Sequence, residues 1–233
     1  MDPFDKIIGH ESRKVILREI ANTLKDPKWQ GVSSKLPPKA LLIWGAPGAG
    51  KTLTASCLIE ASGRAAFTCR KTGPDDEFAK TIKDTFDRAV GAAPSIVFLD
   101  DIDKLADKYH EPIKAGIYNA LVSCLDNLGD ADVFVLMTAS DRKCLPDSLR
   151  RRRGLGFGLP VWLDTEQIIT HYLSGRDFSD DVNPTSLSFL LDGKSPADIK
   201  RVIEEAELIA NHERGGKIAK DHFLQAYVRI CCP

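Results

Sequence analysis

Apolar positions along this chain fall into two regimes. Up to about Leu159, short apolar runs alternate with stretches of helical periodicity, and beyond Asp164 only the helical period remains. The first helical pattern puts Val15, Ile16, Leu17, Ile20 and Leu24 on one face, with Pro27 as its stop. A polar connector, Trp29 to Lys39, leads to a first strand, Ala40–Trp44. A helix from about Lys51 to Ser62 follows, then a strand over Ala65–Thr68. A helix from about Asp76 to Val90 carries Phe78, Ile82, Phe86 and Val90 at helical spacing. The unbroken run Ile96–Leu99 is the signature of a strand buried on both faces. A helix bearing Ile117, Ala120, Leu121, Cys124, Leu125 and Leu128 separates it from a strand at Val133–Met137. A short helix opened by Leu145-Pro146-Asp147 leads into a last strand, Leu155–Leu159. This alternation predicts an α/β fold built on a parallel sheet.

The second regime predicts helices alone. One runs from Thr165 through Leu173, and Leu187, Leu190 and Leu191 mark a short one. Ser195-Pro196-Ala197-Asp198 opens another, with Ser as N-cap, Pro in the first turn and Asp near the positive end of the dipole. Ile199, Val202, Ile203, Ala206, Leu208, Ile209 and Ala210 supply its apolar faces and Gly215-Gly216 its end. Phe223, Ala226, Tyr227 and Ile230 lie on a final helix. The switch places a boundary at Pro160 to Asp164, with a nucleotide-binding α/β domain expected over 1–160 and a smaller helical domain over 161–233.

Composition narrows the setting only a little. The 233 residues are 43% hydrophobic and 28% charged, ordinary for a globular protein, and the net charge of -1 gives no reason to expect a nucleic-acid partner. No apolar run approaches the ~20 residues needed to cross a bilayer. The acidic N-terminus lacks a secretory apolar core, so a cytoplasmic setting, or the cytosolic part of a longer protein, is expected. Cys57, Cys69, Cys124, Cys144, Cys231 and Cys232 are scattered without a C-x-x-C pair. Zinc is therefore not expected, and reduced thiols are.

The chemistry concentrates in a few places. Gly45, Gly50, Lys51 and Thr52 meet the spacing G-x-x-x-x-G-K-[ST], between a strand and a helix as that motif requires. Residues Pro47, Gly48, Ala49 and Gly50 are small, which lets main-chain N–H groups approach phosphate oxygens closely. The helix that follows, with Leu53 in its first turn, directs its positive end at the same oxygens. Lys51 can reach the outer phosphates of a triphosphate, and the Thr52 hydroxyl can ligate Mg²⁺. After the buried strand, Asp100 stands where ligands bind in open α/β sheets, placed to hold Mg²⁺ through water, and Asp101 can orient an attacking water. Acidic residues that merely open a helix are the plainer alternative for that pair. Ser140 follows the next strand and can touch the terminal phosphate or the water, unless it is simply a turn hydroxyl. The run Arg150 to Arg153 reads as a solvated basic turn, a nucleic-acid patch without interleaved aromatics, or an arginine finger that neutralises charge on a neighbour's phosphate.

Taken together, these residues resemble the AAA family within the AAA+ ATPases, and most closely the ATPase modules of membrane-anchored AAA proteases and of the ubiquitin-selective segregase. The resemblance spans about residues 4–230. It rests on Pro27-x-Trp29, Pro37, the phosphate loop, Ala92-Ala93-Pro94, Phe98 to Asp103, Asn119 with Asp126, Leu145 to Arg153, and Ser195 to Ile199, all in family order. It implies a doubly wound five-stranded sheet with a helical lid, ATP or ADP with Mg²⁺ as cofactor, and a homo- or hetero-oligomeric ring, usually a hexamer. It also implies that Ile7, Ile8 and Gly9 contact adenine through backbone, that His171 lies near ribose and base, and that Pro196-Ala197 forms the lid turn. By the same resemblance Arg151 aligns with the first arginine finger and Arg153 with the second.

Three departures from the family pattern bear on activity. Asp101 stands where Glu is usual, one methylene short for holding a water in line. Ser140 replaces the usual Asn. The segment Thr68 to Phe78 lacks the aromatic–hydrophobic–Gly signature of a substrate-gripping pore loop. The expected function is Mg²⁺-dependent ATP binding and slow hydrolysis by a ring-forming module that remodels a protein partner or adaptor. A weakly hydrolysing scaffold subunit of a mixed ring is the alternative, and a DNA-directed loader fits the charge and the lid turn less well. No substrate-selecting domain is evident, so either a module excised from a longer chain or reliance on a separate adaptor is expected.

Overall fold

The described residues of the computed structural model are 2–26, 39–70, 75–106, 112–160, 162–213 and 216–232. Pro27, Trp29, Pro37 and part of the predicted pore-loop segment lie outside them. The strands are β1 (Ala40–Gly45), β2 (Ala65–Cys69), β3 (Ser95–Leu99), β4 (Val133–Ala139) and β5 (Arg153–Phe157). They form one five-stranded sheet in the order β2-β3-β4-β1-β5, and every pairing is parallel. The fold is thus the α/β, all-parallel architecture that the alternating pattern predicts. Each crossover carries helix: α2 (Lys51–Ser62) after β1, α3 (Asp75–Gly91) after β2, α4 (Pro112–Asp126) after β3 and the short α5 (Asp147–Arg150) after β4.

The sheet is central because its middle strands offer apolar side chains to both faces. On one face Ala40, Leu42, Val97, Leu99, Val133, Val135 and Met137 pack with Phe78, Ile82 and Phe86 of α3 and Ile117 and Leu121 of α4. The alternate residues Leu41, Ile43, Ile96, Phe98, Phe134 and Leu136 are also buried. Each such aliphatic side chain contributes about 1.5–3 kcal/mol by leaving water. At the strands' N-terminal edge the half-buried Arg64 clamps the Asp132 carboxylate with two hydrogen bonds, 2.7 and 3.2 Å, and donates to the Leu24 carbonyl at 2.7 Å. The opposite, C-terminal edge is left to the functional residues.

Several sequence expectations are corrected. The last strand is Arg153–Phe157, two residues earlier than Leu155–Leu159. Gly156, inside both the expected and the observed strand, pairs with Trp44, and a Cβ there would lie 2.6 Å from the indole. The strand passes under the ring because it carries no side chain at that point. In α1 (Glu11–Lys25) the buried face is Lys14, Leu17, Ile20, Ala21 and Leu24, with Val15 exposed. The alkyl stem of Lys14 fills the space while its ammonium pairs with Glu11 at 2.7 Å. Val90 and Leu208 likewise face solvent, and Ala89 takes the buried place on α3.

Chain contacts divide the molecule into two units. One comprises the segment ending at Ile7, then Glu11–Gly45 and Lys51–Phe157, and holds the sheet. The other comprises Ile8–His10, Ala46–Gly50 and the chain from Gly158 onward. Its core is formed by α6 (Trp162–Leu173), α7 (Pro184–Leu190), α8 (Pro196–His212) and α9 (Lys220–Cys231), with Ile169, Leu191, Ile199, Val202, Ile203, Phe223 and Ala226 at its centre. Ser195 caps α8 by accepting the Asp198 N–H at 3.2 Å, and Asn183 caps α7 by accepting that of Thr185 at 2.9 Å. Gly215 of the predicted stop lies outside the described residues.

Candidate nucleotide site

The phosphate loop leaves β1 at Gly45, where only glycine fits: a Cβ would sit 2.0 Å from the Phe157 carbonyl oxygen. Gly48 and Gly50 have φ of +76° and +85°, conformations that side chains resist. Within the second unit a Cβ on Gly48 would meet Ser195 Oγ at 2.5 Å and Ala197 Cβ at 2.9 Å, so the loop glycine lies against the turn that opens α8. Around Gly50 the space for a Cβ is open. Pro47 and Ala49 complete the loop, and Ala49 is buried.

Lys51 opens α2 in the first unit and is 6% exposed. Its ammonium donates to the Gly45 carbonyl at 3.0 Å, folding the side chain back along the loop it follows. Burial pushes this ammonium below its ordinary value, against the opposing pull of Asp101, Asp103 and Asp100. Thr52 Oγ1 donates to Asp100 Oδ1 at 3.1 Å, joining the start of α2 to the end of β3. Leu53 is exposed beside it.

Asp100 is the most heavily engaged carboxylate at this edge. Its Oδ1 also accepts from Thr138 Oγ1 at 2.6 Å, and its Oδ2 pairs with the guanidinium of Arg70. Burial raises the Asp100 carboxyl, but donation from Thr138, Arg70 and Thr52 outweighs it and holds the group below the ordinary carboxylate value. The adjoining Asp101 has φ of +53°, and its carboxylate pairs with Lys104 at 2.5 Å. The Asp101 N–H donates to Thr138 Oγ1 at 2.8 Å. One buried hydroxyl thus orders both acidic residues.

Ser140 and Asp141 donate their main-chain N–H groups to Asp103 Oδ2 at 2.9 and 3.1 Å. The Ser140 hydroxyl makes no hydrogen bond among the described residues. The other Asp103 oxygen is buried without a partner there. Thr138, Asp103 and Arg70 were not singled out by sequence. A threonine inside the otherwise apolar β4 was the available signal for the first. The other two become visible only once β2, β3 and β4 lie side by side.

The hard oxygens of Thr52 and Asp100 suit Mg²⁺, which prefers one or two carboxylates plus phosphate and water. Among the described residues no group of three or more His, Cys, Asp or Glu is placed to hold a metal by itself. A divalent ion held at Thr52 and Asp100 would need its remaining ligands from phosphate and solvent, and the residues present fit that mode.

The four arginines separate cleanly. Arg150 pairs with Asp147, and Arg152 with Asp126 at 2.7 Å. Arg151 and Arg153 are exposed, and neither side chain has a partner among the described residues. In the second unit Ile8 packs on the helical core. Gly9, with φ of +71°, lies so close to Asp164 that a Cβ would fall 2.5 Å from its carboxylate. His171 is exposed on α6 and meets Tyr172 edge-on at 5.3 Å. Ile7 is buried in the first unit.

A parallel sheet with this glycine loop after β1 and this acidic end to β3 is the framework of a phosphate-loop ATPase module. The family described as "ATPase family associated with various cellular activities (AAA)" matches residues 41–159, and the chain belongs to it. Similar proteins include the "ATP-dependent zinc metalloprotease FtsH" of Ureaplasma parvum, 28% identical over 97% of this chain and 33% of that protein. "FtsH 2" of Salinibacter ruber is 30% identical over 97% of this chain and 35% of its own length. The "Mitochondrial inner membrane i-AAA protease supercomplex subunit YME1" of Saccharomyces cerevisiae is 28% identical over 97% and 32%. The chain thus spans about a third of the curated relatives it matches. No helix among the described residues is long and apolar enough to cross a membrane.

Proposed function

We propose that this chain binds Mg²⁺-ATP at the loop Pro47–Leu53 and hydrolyses it slowly, as one subunit of a hexameric ring that remodels a protein partner. The observation that carries the reading is the 3.1 Å hydrogen bond from Thr52 Oγ1 to Asp100 Oδ1, which brings the residue after the loop lysine to the acidic end of β3. Lys51 neutralises the outer phosphates, the loop amides hold their oxygens, and Thr52 with Asp100 hold the metal. The magnesium ion, when bound, offsets charge on the phosphate oxygens. Asp101 takes the attacking water, and Ser140 offers its unspent hydroxyl to that water or to the terminal phosphate. Ile7, Ile8, Gly9, His171, Pro196 and Ala197 serve the base and ribose. Arg151 and Arg153 act on the nucleotide of a neighbouring subunit, which accords with their lack of partners among the described residues.

A second reading is favoured by Asp101. Its side chain is short, its backbone is left-handed, and its carboxylate is tied to Lys104. These features suit a subunit that holds nucleotide to stabilise a mixed ring while another chain hydrolyses. The protease activity named for the relatives belongs to those longer proteins. Fluorescent ATP binding with and without Mg²⁺ tests the proposal. Binding should be lost in Lys51→Ala, and its Mg²⁺ dependence should be lost in Asp100→Asn; equal binding by wild type and Lys51→Ala would end it.

A further inference from the structure

Cys69 and Leu99 are paired in the parallel register of β2 and β3, so Arg70 and Asp100 leave the sheet side by side. The two side chains differ sharply in exposure: 60% for Arg70 and 4% for Asp100. A carboxylate that buried requires a counter-charge. Its Oδ1 is taken by the hydroxyls of Thr52 and Thr138, and Oδ2 is met by Arg70. The neighbouring cations are engaged elsewhere, Lys51 on the Gly45 carbonyl and Lys104 on Asp101.

We propose that Arg70 is an internal counter-cation that occupies the metal carboxylate and competes with the divalent ion for Asp100 Oδ2, so that it sets how much metal the site needs. The proposal rests on the nucleotide–metal reading above. Asp100 is fixed by hydroxyls from two separate elements. Arg70 reaches the carboxylate from solvent, with its guanidinium spent only on this pair among the described residues. It can therefore withdraw towards solvent while the two hydroxyls keep the carboxylate in place, and a divalent ion drawn to that carboxylate would compete with it. Once a divalent ion is in place the guanidinium charge is redundant there, and like charge drives it back to water.

The test is Mn²⁺ binding to the ADP complex of the full chain, read as the electron paramagnetic resonance signal of free Mn²⁺. ADP binding is measured first, because a chain that binds no ADP overturns the nucleotide reading and this proposal together. Arg70→Gln should bind Mn²⁺ about two- to fivefold more tightly than wild type, the range spanned by an ion pair with an exposed partner. Arg70→Lys should return the constant towards wild type. Lys104→Gln makes the same charge change beside Asp101 and should shift it less. With ADP bound normally, a constant that is unchanged or weaker in Arg70→Gln, or that moves equally in Lys104→Gln, overturns the competition and leaves the nucleotide reading standing.

Discussion

Thr138 Oγ1 donates its proton to Asp100 Oδ1 at 2.6 Å and itself accepts the Asp101 N–H at 2.8 Å. The threonine is fully buried on β4 and spends both roles of its hydroxyl on the two acidic residues that end β3. The carboxylate assigned to metal and the one assigned to water are thereby held in one frame by a neighbouring strand.

Thr138→Val keeps the shape and removes both hydrogen bonds. Stability should fall by about 1–3 kcal/mol, as expected when buried polar groups lose their partner. Urea denaturation reads that loss. Mg²⁺-dependent nucleotide binding should weaken as well, whereas an effect on stability alone would confine Thr138 to a structural role.

The Asp100 carboxyl is held below its ordinary value of 3.8, so it binds its proton less readily folded than unfolded. The sign follows from linkage. Its contribution to stability is complete above pH 3.8 and is lost as pH falls through the lower folded value. Stability of wild type relative to Asp100→Asn, followed by urea titration from pH 6 downwards, should shrink at the acid end. A difference that grows on acidification would contradict the assignment.

Gly156→Ala should destabilise the sheet by about 1–3 kcal/mol, the usual range for overpacking. The new Cβ would meet the Trp44 indole at 2.6 Å. Thermal unfolding checks this, and altered tryptophan fluorescence should accompany it.

Arg151→Ala and Arg153→Ala should each leave stability within about 0.5 kcal/mol, because both side chains are exposed and unpaired among the described residues. In the assembled state, loss of the acting finger should cut turnover by about 10³-fold. Arg152→Ala breaks the pair with Asp126 and should show the opposite pattern, a small stability loss with turnover kept. Full turnover by both Arg151→Ala and Arg153→Ala in an assembled ring would remove the finger role.

The fold was legible where the code is local. The run Ile96–Leu99 announced a strand buried on both faces, and Ser195-Pro196 announced the start of α8. The phosphate loop was legible as a motif because its residues are contiguous. The last strand was read two residues late because Arg153 and Gly154 carry no apolar signal, and only their pairing with β1 brings them into the sheet. Val15 and Val90 were misplaced because a helix buries a stripe rather than every apolar residue it carries. Arg70 and Asp103 carry no local signal of a site, and Thr138 offers only that of a hydroxyl inside an apolar strand. They meet Asp100, Asp101 and the Ser140 turn only through the order β2-β3-β4, which the sequence pattern does not reveal.

The central claim is tested most directly by ATP turnover at increasing protein concentration, in Mg²⁺ and in chelator. The account predicts slow, Mg²⁺-dependent turnover that rises more steeply than concentration, vanishes in Lys51→Ala and increases in Asp101→Glu. Turnover that survives Lys51→Ala unchanged, or that persists without a divalent ion, would contradict it.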